Sequence, residues 1–295
     1  VISSPTHSHH RYVMNFGERS EDECRRHWPD LMDIVESKVK PDRENQGSIV
    51  NPDRWWMFAR PASDLYDAAT GLSRLLCCTL HSKDLSFAFL PAQSVFSHGL
   101  AVFATDTYSA FATLQSRAHE TWARFLGSSI KDDLRYTPSD CFETFPLPEG
   151  WESDASLDVA GRAYYEFRAA LMVRNNEGLT RTYNRFHDPE EDSPDILKLR
   201  ELHEAMDRAV LGAYGWTDIP TACEFLLDYE VDEEQGNKKE PWRYRWPDKI
   251  RDEVLARLLE LNAERAAQEA LAGAASKKSG RPKKSRPAES TERML

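Results

Sequence analysis

Several things are scarce or missing in this chain of 295 residues. It has 5 cysteines, and no two of them form a C-x-x-C pair. An odd, scattered set (Cys24, Cys77, Cys78, Cys141 and Cys223) argues for reduced thiols that fill a core, in a cytoplasmic setting. No apolar run approaches the ~18–20 residues that a membrane-spanning helix needs. The opening VISSPTHSHHRY has neither a basic start nor an apolar stretch, so no signal peptide is expected. The chain opens on Val1 rather than Met, which predicts a fragment without its natural start.

The motifs of several chemistries are missing too. No G-x-x-x-x-G-K-S/T loop is present to cradle a triphosphate. An enzyme that methylates the amino group of a base uses an Asx-Pro-Pro-aromatic run, whose polar group holds the amine while the ring stacks on the flipped base. Asn51-Pro52-Asp53-Arg54 lacks both the second proline and the ring. No glycine-rich turn after a strand offers a seat for S-adenosylmethionine. Asp30 or Asp33 followed by Glu36-Ser37-Lys38 mimics a nuclease string. On one amphipathic helix, however, Glu36 and Lys38 lie ~200° apart and cannot share an ion. His7, His9 and His10 sit in a polar terminus without a Cys or carboxylate partner, which reads as plain disordered chain rather than a metal site.

Charge is unevenly spread. The net charge of −11 divides into −5 over residues 1–150, −11 over 151–276 and +5 over 277–295. An acidic body followed by a basic arm means that any contact with a polyanion must rest on a local basic surface. The low-complexity tail SKKSGRPKKSRPAES cannot fold alone. Within it, Arg281 between Gly280 and Pro282 suits insertion into a narrow minor groove, although a generic solvated tail has the same composition.

Periodicity predicts an α+β chain. Arg11–Phe16 alternates like a short strand. Ser20-x-x-Glu23 has capping-box spacing and opens a helix to about Val39. Ser63–Leu75 has helical spacing. Leu76–Leu80, Ser86–Leu90 and Leu100–Ala104 read as strands, and Thr107–Leu126 as a helix. After Gly150 the pattern is helical over Leu157–Asn175, Pro194–Tyr214 and Ile250–Ala272. Proline, glycine and acids at Pro146–Trp151 mark a linker. The expected organisation is a mixed α/β domain over 11–150, a mostly α-helical domain over 151–272 and a disordered basic tail over 273–295.

Basic, aromatic and turn residues concentrate in a few segments. Lys38, Lys40 and Arg43 share a loop, Arg54 precedes Trp55-Trp56, Lys83 lies between two strands, and Lys131 stands just before Arg135-Tyr136-Thr137. Arginine reads guanine through two major-groove acceptors, while lysine, threonine and tyrosine reach phosphates. The plain alternative is that the aromatic residues are core and the cations are ordinary surface.

The strings RYVMNFGERSEDE, ESKVKPDR, RWWMFARP, LRYTPSDCFETFPLP, LTRTYNRFHDP and LRELHEAMDRAVLGAYGW, covering roughly 11–250, resemble the C-terminal half of the MmeI-like (type IIL) restriction–modification adenine methyltransferases. The resemblance implies a target recognition domain at 11–150 that binds double-stranded DNA, braced by a helical C-terminal domain. It also implies an upstream domain, absent from this chain, that binds S-adenosylmethionine and methylates adenine N6. No cofactor is then expected in the chain itself. The expected DNA-contacting residues are Lys40, Arg43, Arg54, Lys83, Lys131, Arg135, Tyr136, Thr137 and Arg281. Expected partners are the duplex, the chain's own methyltransferase domain and other subunits of a restriction or phage-defence system, with no membrane. The alternative function is a protein-interaction scaffold of a defence complex, whose acidic helices bind another subunit and whose tail binds DNA weakly.

Overall fold

A computed structural model of the chain describes residues 4–8, 11–45, 52–130, 133–228 and 242–279. The first segment with regular structure is helical. The side chain of Ser20 caps α1 (Glu21–His27) by accepting from the Glu23 N–H at 3.2 Å. The single helix expected to Val39 is instead two. Pro29 has no N–H to donate and disfavours helical geometry in the residue before it. Trp28 accordingly leaves the helix, and α2 (Pro29–Lys38) starts afresh, followed by α3 (Lys40–Glu44). Phe16, Cys24, Met32, Val35 and Trp55 close a small apolar cluster of their own. Arg11–Phe16 forms no strand.

α4 (Ser63–Ala68) is shorter than its periodicity suggested, because the chain turns at Gly71 and enters β1 (Arg74–Thr79). β1 is the centre of an antiparallel sheet. It pairs on one side with β3 (Phe87–Pro91; Cys77 opposite Ala88) and on the other with β4 (Leu100–Phe103; Cys77 opposite Val102). Its run Leu75-Leu76-Cys77-Cys78 is buried on both faces, which is why it reads as continuous apolar sequence rather than alternation. Burial pushes the Cys77 thiol up to about 12, as befits a packing residue.

A second small sheet continues from the first. After β1 the backbone N–H of Leu80 donates to the carbonyl of Gly99, the residue just before β4, and the Leu80 carbonyl accepts from Tyr136 N at 2.8 Å. The next two residues form β2 (His81–Ser82), an edge of the order β2-β6-β5 with β6 (Asp133–Arg135) central and β5 (Ser128–Ile130) beyond it. Leu80 is therefore the joint between the sheets.

The helix expected over Thr107–Leu126 is also two, α5 (Tyr108–Gln115) and α6 (Arg117–Leu126). Ser116 takes an extended conformation between them and caps α6 by accepting from the His119 N–H at 3.3 Å. α5 is buried along its whole length. It is covered by α8 (Ala155–Asn175), which crosses close because Gly161 carries no side chain: a Cβ there would lie 2.3 Å from the Tyr108 carbonyl. A short α7 (Pro138–Cys141) separates β6 from the Phe-Pro-Leu-Pro segment. α9 (Leu179–Phe186), α10 (Pro194–Ala213), the hairpin β7 (Glu224–Leu227) and β8 (Trp242–Arg245), and α11 (Asp248–Ser279) complete the order.

One apolar core runs from Ala69 to Leu258, so the change from mixed to helical structure near residue 150 is not a gap between cores. Arg168 makes the union concrete. This buried guanidinium from α8 donates to the Phe87 carbonyl on β3, to the Gln115 side chain on α5 and to the Tyr183 hydroxyl on α9. α11 extends past the expected end of ordered chain at 272, to Ser279. No helix among the described residues is long and apolar enough to cross a membrane.

Candidate nucleic-acid interface

The described contact residues fall into two groups, one on the N-terminal cluster and one on the main body, and one of them, Tyr136, is buried. Lys40, Arg43 and Arg54 belong to the N-terminal cluster. The Lys40 ammonium pairs with Glu36 at 3.0 Å and lies 4.8 Å from the Trp55 ring centre. Arg43 donates to the Met57 carbonyl, which anchors the 52–57 turn. Of the three, only Arg54, in a single 3-10 turn, is exposed. Lys40 and Arg43 therefore brace the cluster with their heads while remaining partly exposed. The Glu36-Ser37-Lys38 string is accounted for in the same place, since Glu36 accepts from both Arg25 and Lys40.

Lys83 and Arg135 lie on the main body. Strand alternation decides which way β6 faces. Leu134 is buried, with Ser82 opposite it, so Asp133 and Arg135 point outward. Arg135 is exposed and takes part in no ion pair among the described residues. Across the ladder it stands opposite His81 on β2 and Ser128 on β5. Lys83, one residue beyond β2, is exposed, while its carbonyl is held by Arg124 at 2.8 Å and Arg243 at 3.1 Å. The cations thus project from a pinned backbone.

Tyr136 is corrected. It is only 1% exposed, its ring packs edge-on against Phe87 and Phe103, and its hydroxyl sits 3.1 Å from His119 Nε2. It faces the core because it follows Arg135 in an extended strand; burying one side chain turns its neighbour outward. Thr137 is half-buried at the start of α7, where its carbonyl accepts from Cys141 N at 2.7 Å. Lys131 and Arg281, with His9, His10 and most of the basic tail, lie outside the described residues.

The motifs that looked most distinctive prove to be braces. In FETFPLP, the extended segment lacks ladder partners and receives donors from outside it. Trp122 donates to the Thr144 hydroxyl at 3.1 Å, Asn262 to the Thr144 carbonyl at 2.6 Å, Tyr214 of AYGW to Pro146 at 2.9 Å, and Arg265 to Leu147 at 2.7 Å. The string LHEAMDR contributes His203 and Asp207, which lie against the buried Arg117 of α6. Arg117 Nη1 is 2.5 Å from Asp207 Oδ2 and 2.7 Å from His203 Nδ1. Burial works against the Asp207 carboxylate, but His203 and Arg117 together hold its pKa below the ordinary range. In YNRFHDP, His187 Nδ1 accepts from the Tyr244 N–H at 3.1 Å and its Nε2 lies 3.5 Å from Asp84.

A second buried charge cluster, silent in the sequence, sits behind Lys83. Arg243 of β8 reaches Asp84 at 2.8 Å, Glu120 of α6 at 3.1 Å and Asp228 at 3.2 Å. Arg124 shares Glu120 and Arg245 shares Asp228; burial, opposed by Arg243 but aided by Glu120, pushes the Asp84 carboxyl up. Asp84 and Glu120 lie more than a hundred residues from Arg243 and so carry no local pattern with it; only a search for co-occurring charges across the chain could have raised them. The groove between α6, β8 and α11 is lined by Arg117, Arg124, Arg243, Arg245 and Arg251. Each of them is bound by carboxylates or carbonyls, so it is not an open anion site.

The described strand-to-helix connections, at 104–107, 136–137 and 246–247, contain no glycine. No group of three or more His, Cys, Asp or Glu residues among the described residues is placed to hold a metal ion.

Comparison with known proteins gives three findings. Residues 79–149 match the family described as the target recognition domain of MmeI. DNA methyltransferase A of Bacillus subtilis (strain 168) is 30% identical over 107 residues, which cover 34% of this chain and 10% of that protein. A solved structure of the type IIL restriction–modification enzyme MmeI in complex with DNA aligns with 86% of this chain and 28% of its own, at 18% identity and a TM-score of 0.47. The chain therefore spans a small part of the proteins it matches. The family match begins on the last residue of β1 and takes in β2, β6, α6 and the Phe-Pro-Leu-Pro segment, so the likeness to the MmeI target recognition domain lies in the small β2-β6-β5 sheet and the elements around it.

Proposed function

We propose that this chain is the sequence-recognising part of an S-adenosylmethionine-dependent adenine-N6 DNA methyltransferase of a restriction–modification or phage-defence system, and that methyl transfer belongs to a domain outside it. The observation that carries the reading is the match over 79–149, within which Arg135 and Lys83 stand exposed on a fixed backbone. A chain of net charge −11 gains little from general attraction to phosphate. Its affinity must come from local cations at base edges and nearby phosphates. The helical region then acts as a brace: Arg168, Arg243 and the Arg117–Asp207 pair tie it to the sheets that present those cations.

Titration of the chain against a duplex selected from a random pool, and against unselected duplex, at two salt concentrations tests this. The expected result is a specificity ratio on the order of a thousandfold, which persists as salt weakens both affinities. Equal affinity for the two duplexes overturns the proposal and favours a scaffold with weak, non-specific binding.

A further inference from the structure

We infer that His81 is a specificity-determining residue that reads one base pair beside the one contacted by Arg135; the inference rests on the DNA-recognition reading above. Three observations point to it. His81 stands directly opposite Arg135 across the β2–β6 ladder, so the two side chains share the outward face of the small sheet. Both are exposed, while the partner row of Ser82 and Leu134 faces inward, with Leu134 buried. Among the described residues, the His81 imidazole has no hydrogen bond, ion pair or ring partner that would give it a structural task.

The spacing suits the role. Opposite residues in an antiparallel pair have Cβ atoms ~4.5–5.5 Å apart, and successive base pairs are ~3.4 Å apart. Two outward side chains in one row therefore reach base pairs one or two steps apart. An imidazole offers a ring N–H to a base-edge acceptor such as guanine N7 or O6, and its other nitrogen accepts from an exocyclic amine.

His81 is also held more firmly than a loop residue would be. The preceding residue, Leu80, is bonded at both its N–H and its carbonyl, and the Lys83 carbonyl two residues on is clamped by Arg124 and Arg243. A short ring on a pinned strand suits a base edge, whereas the long, flexible Lys83 suits a phosphate as a point charge.

The test is selection of binding sites by the full chain from a pool of duplexes with a randomised centre, for wild type, His81→Ala, His81→Gln and Arg135→Ala, with a melting curve for each. The expected result is that His81→Ala flattens the base preference at one position by about fivefold or more. That position lies within two base pairs of the one flattened by Arg135→Ala, and His81→Gln re-weights the bases there while the melting curves stay unchanged. Preference profiles for both His81 variants that superimpose on wild type overturn the inference, as does a loss spread evenly over all positions. If wild type selects no sequence at all, the DNA-recognition reading itself fails, which is a separate outcome.

Discussion

Gly127 is the residue on which the position of the reading strand turns. It lies between α6 and β5 with φ −68° and ψ 144°, a conformation open to any residue, so backbone freedom is not why glycine is there. Space is the reason. A Cβ at 127 would lie 2.4 Å from the Ala123 carbonyl oxygen, 2.8 Å from Leu134 Cδ1 and 3.1 Å from the Arg135 carbonyl oxygen. Two of the three are backbone atoms, which cannot rotate away. Gly127→Ala must therefore lift the 127–128 backbone off α6 or push β6 outward, in either case stretching the 2.7 Å bond from Gly127 N to Ala123 O. Overpacking of this kind costs about 1–3 kcal/mol, and a chain of this size loses ~2–4 °C in Tm per kcal/mol. The expected fall is then on the order of 2–12 °C, accompanied by weaker binding to a selected duplex because Arg135 moves with β6. Calorimetry and a binding titration on the same protein check both. A Gly127→Ala variant with wild-type Tm and wild-type affinity would refute the argument that this contact seats the strand.

Arg135→Ala should weaken binding to a selected duplex by about 1–3 kcal/mol and leave stability unchanged, measured by titration and melting. Tyr136→Phe should do the reverse, costing about 1 kcal/mol in urea denaturation without altering the selected sequence. Arg117→Met should destabilise by about 3–5 kcal/mol, since it strands the buried Asp207 carboxylate; Asp207→Asn in the same chain should recover part of that loss. Burial pushes the His119 imidazole down to about 3 and lowers those of His187 and His203 as well. The unfolded chain then takes up protons that the folded one refuses. Their contribution is intact above the ordinary histidine range and is lost as pH falls from about 6.5, at up to ~1.4 kcal/mol per pH unit for each group. Urea titrations at pH 7 and pH 5 should show the drop, and His119→Phe should make it shallower; equal slopes for the two proteins would contradict a neutral His119.

The elements legible in the sequence are those that carry their own periodicity over enough residues. β1, β3 and β4 are apolar runs between turn residues. α8 and α10 carry an apolar stripe through four or more turns, and Asp154 caps the first of them locally. β2, β5 and β6 are two or three residues long, which is too short for any alternation to register, and they exist because Tyr136 and Leu134 are drawn into the core. The breaks at Trp28 and Ser116 escaped because apolar spacing continues across both. In the candidate site, residue type picked out Arg135 and Lys83, but it picked out Tyr136 equally well, because composition cannot say which of two adjacent strand residues faces water.

By itself, the amino-acid order determined the kind of molecule: an α+β chain with an acidic body, a basic tail and segments that resemble a recognition domain. Those properties are local sums over neighbouring residues. Tertiary structure alone decided which side chains meet the outside. Arg117 with Asp207, Arg243 with Asp84 and Glu120, and His81 with Arg135 are joined only when strands and helices distant along the chain pack, and burial is a property of that packing rather than of any residue within it.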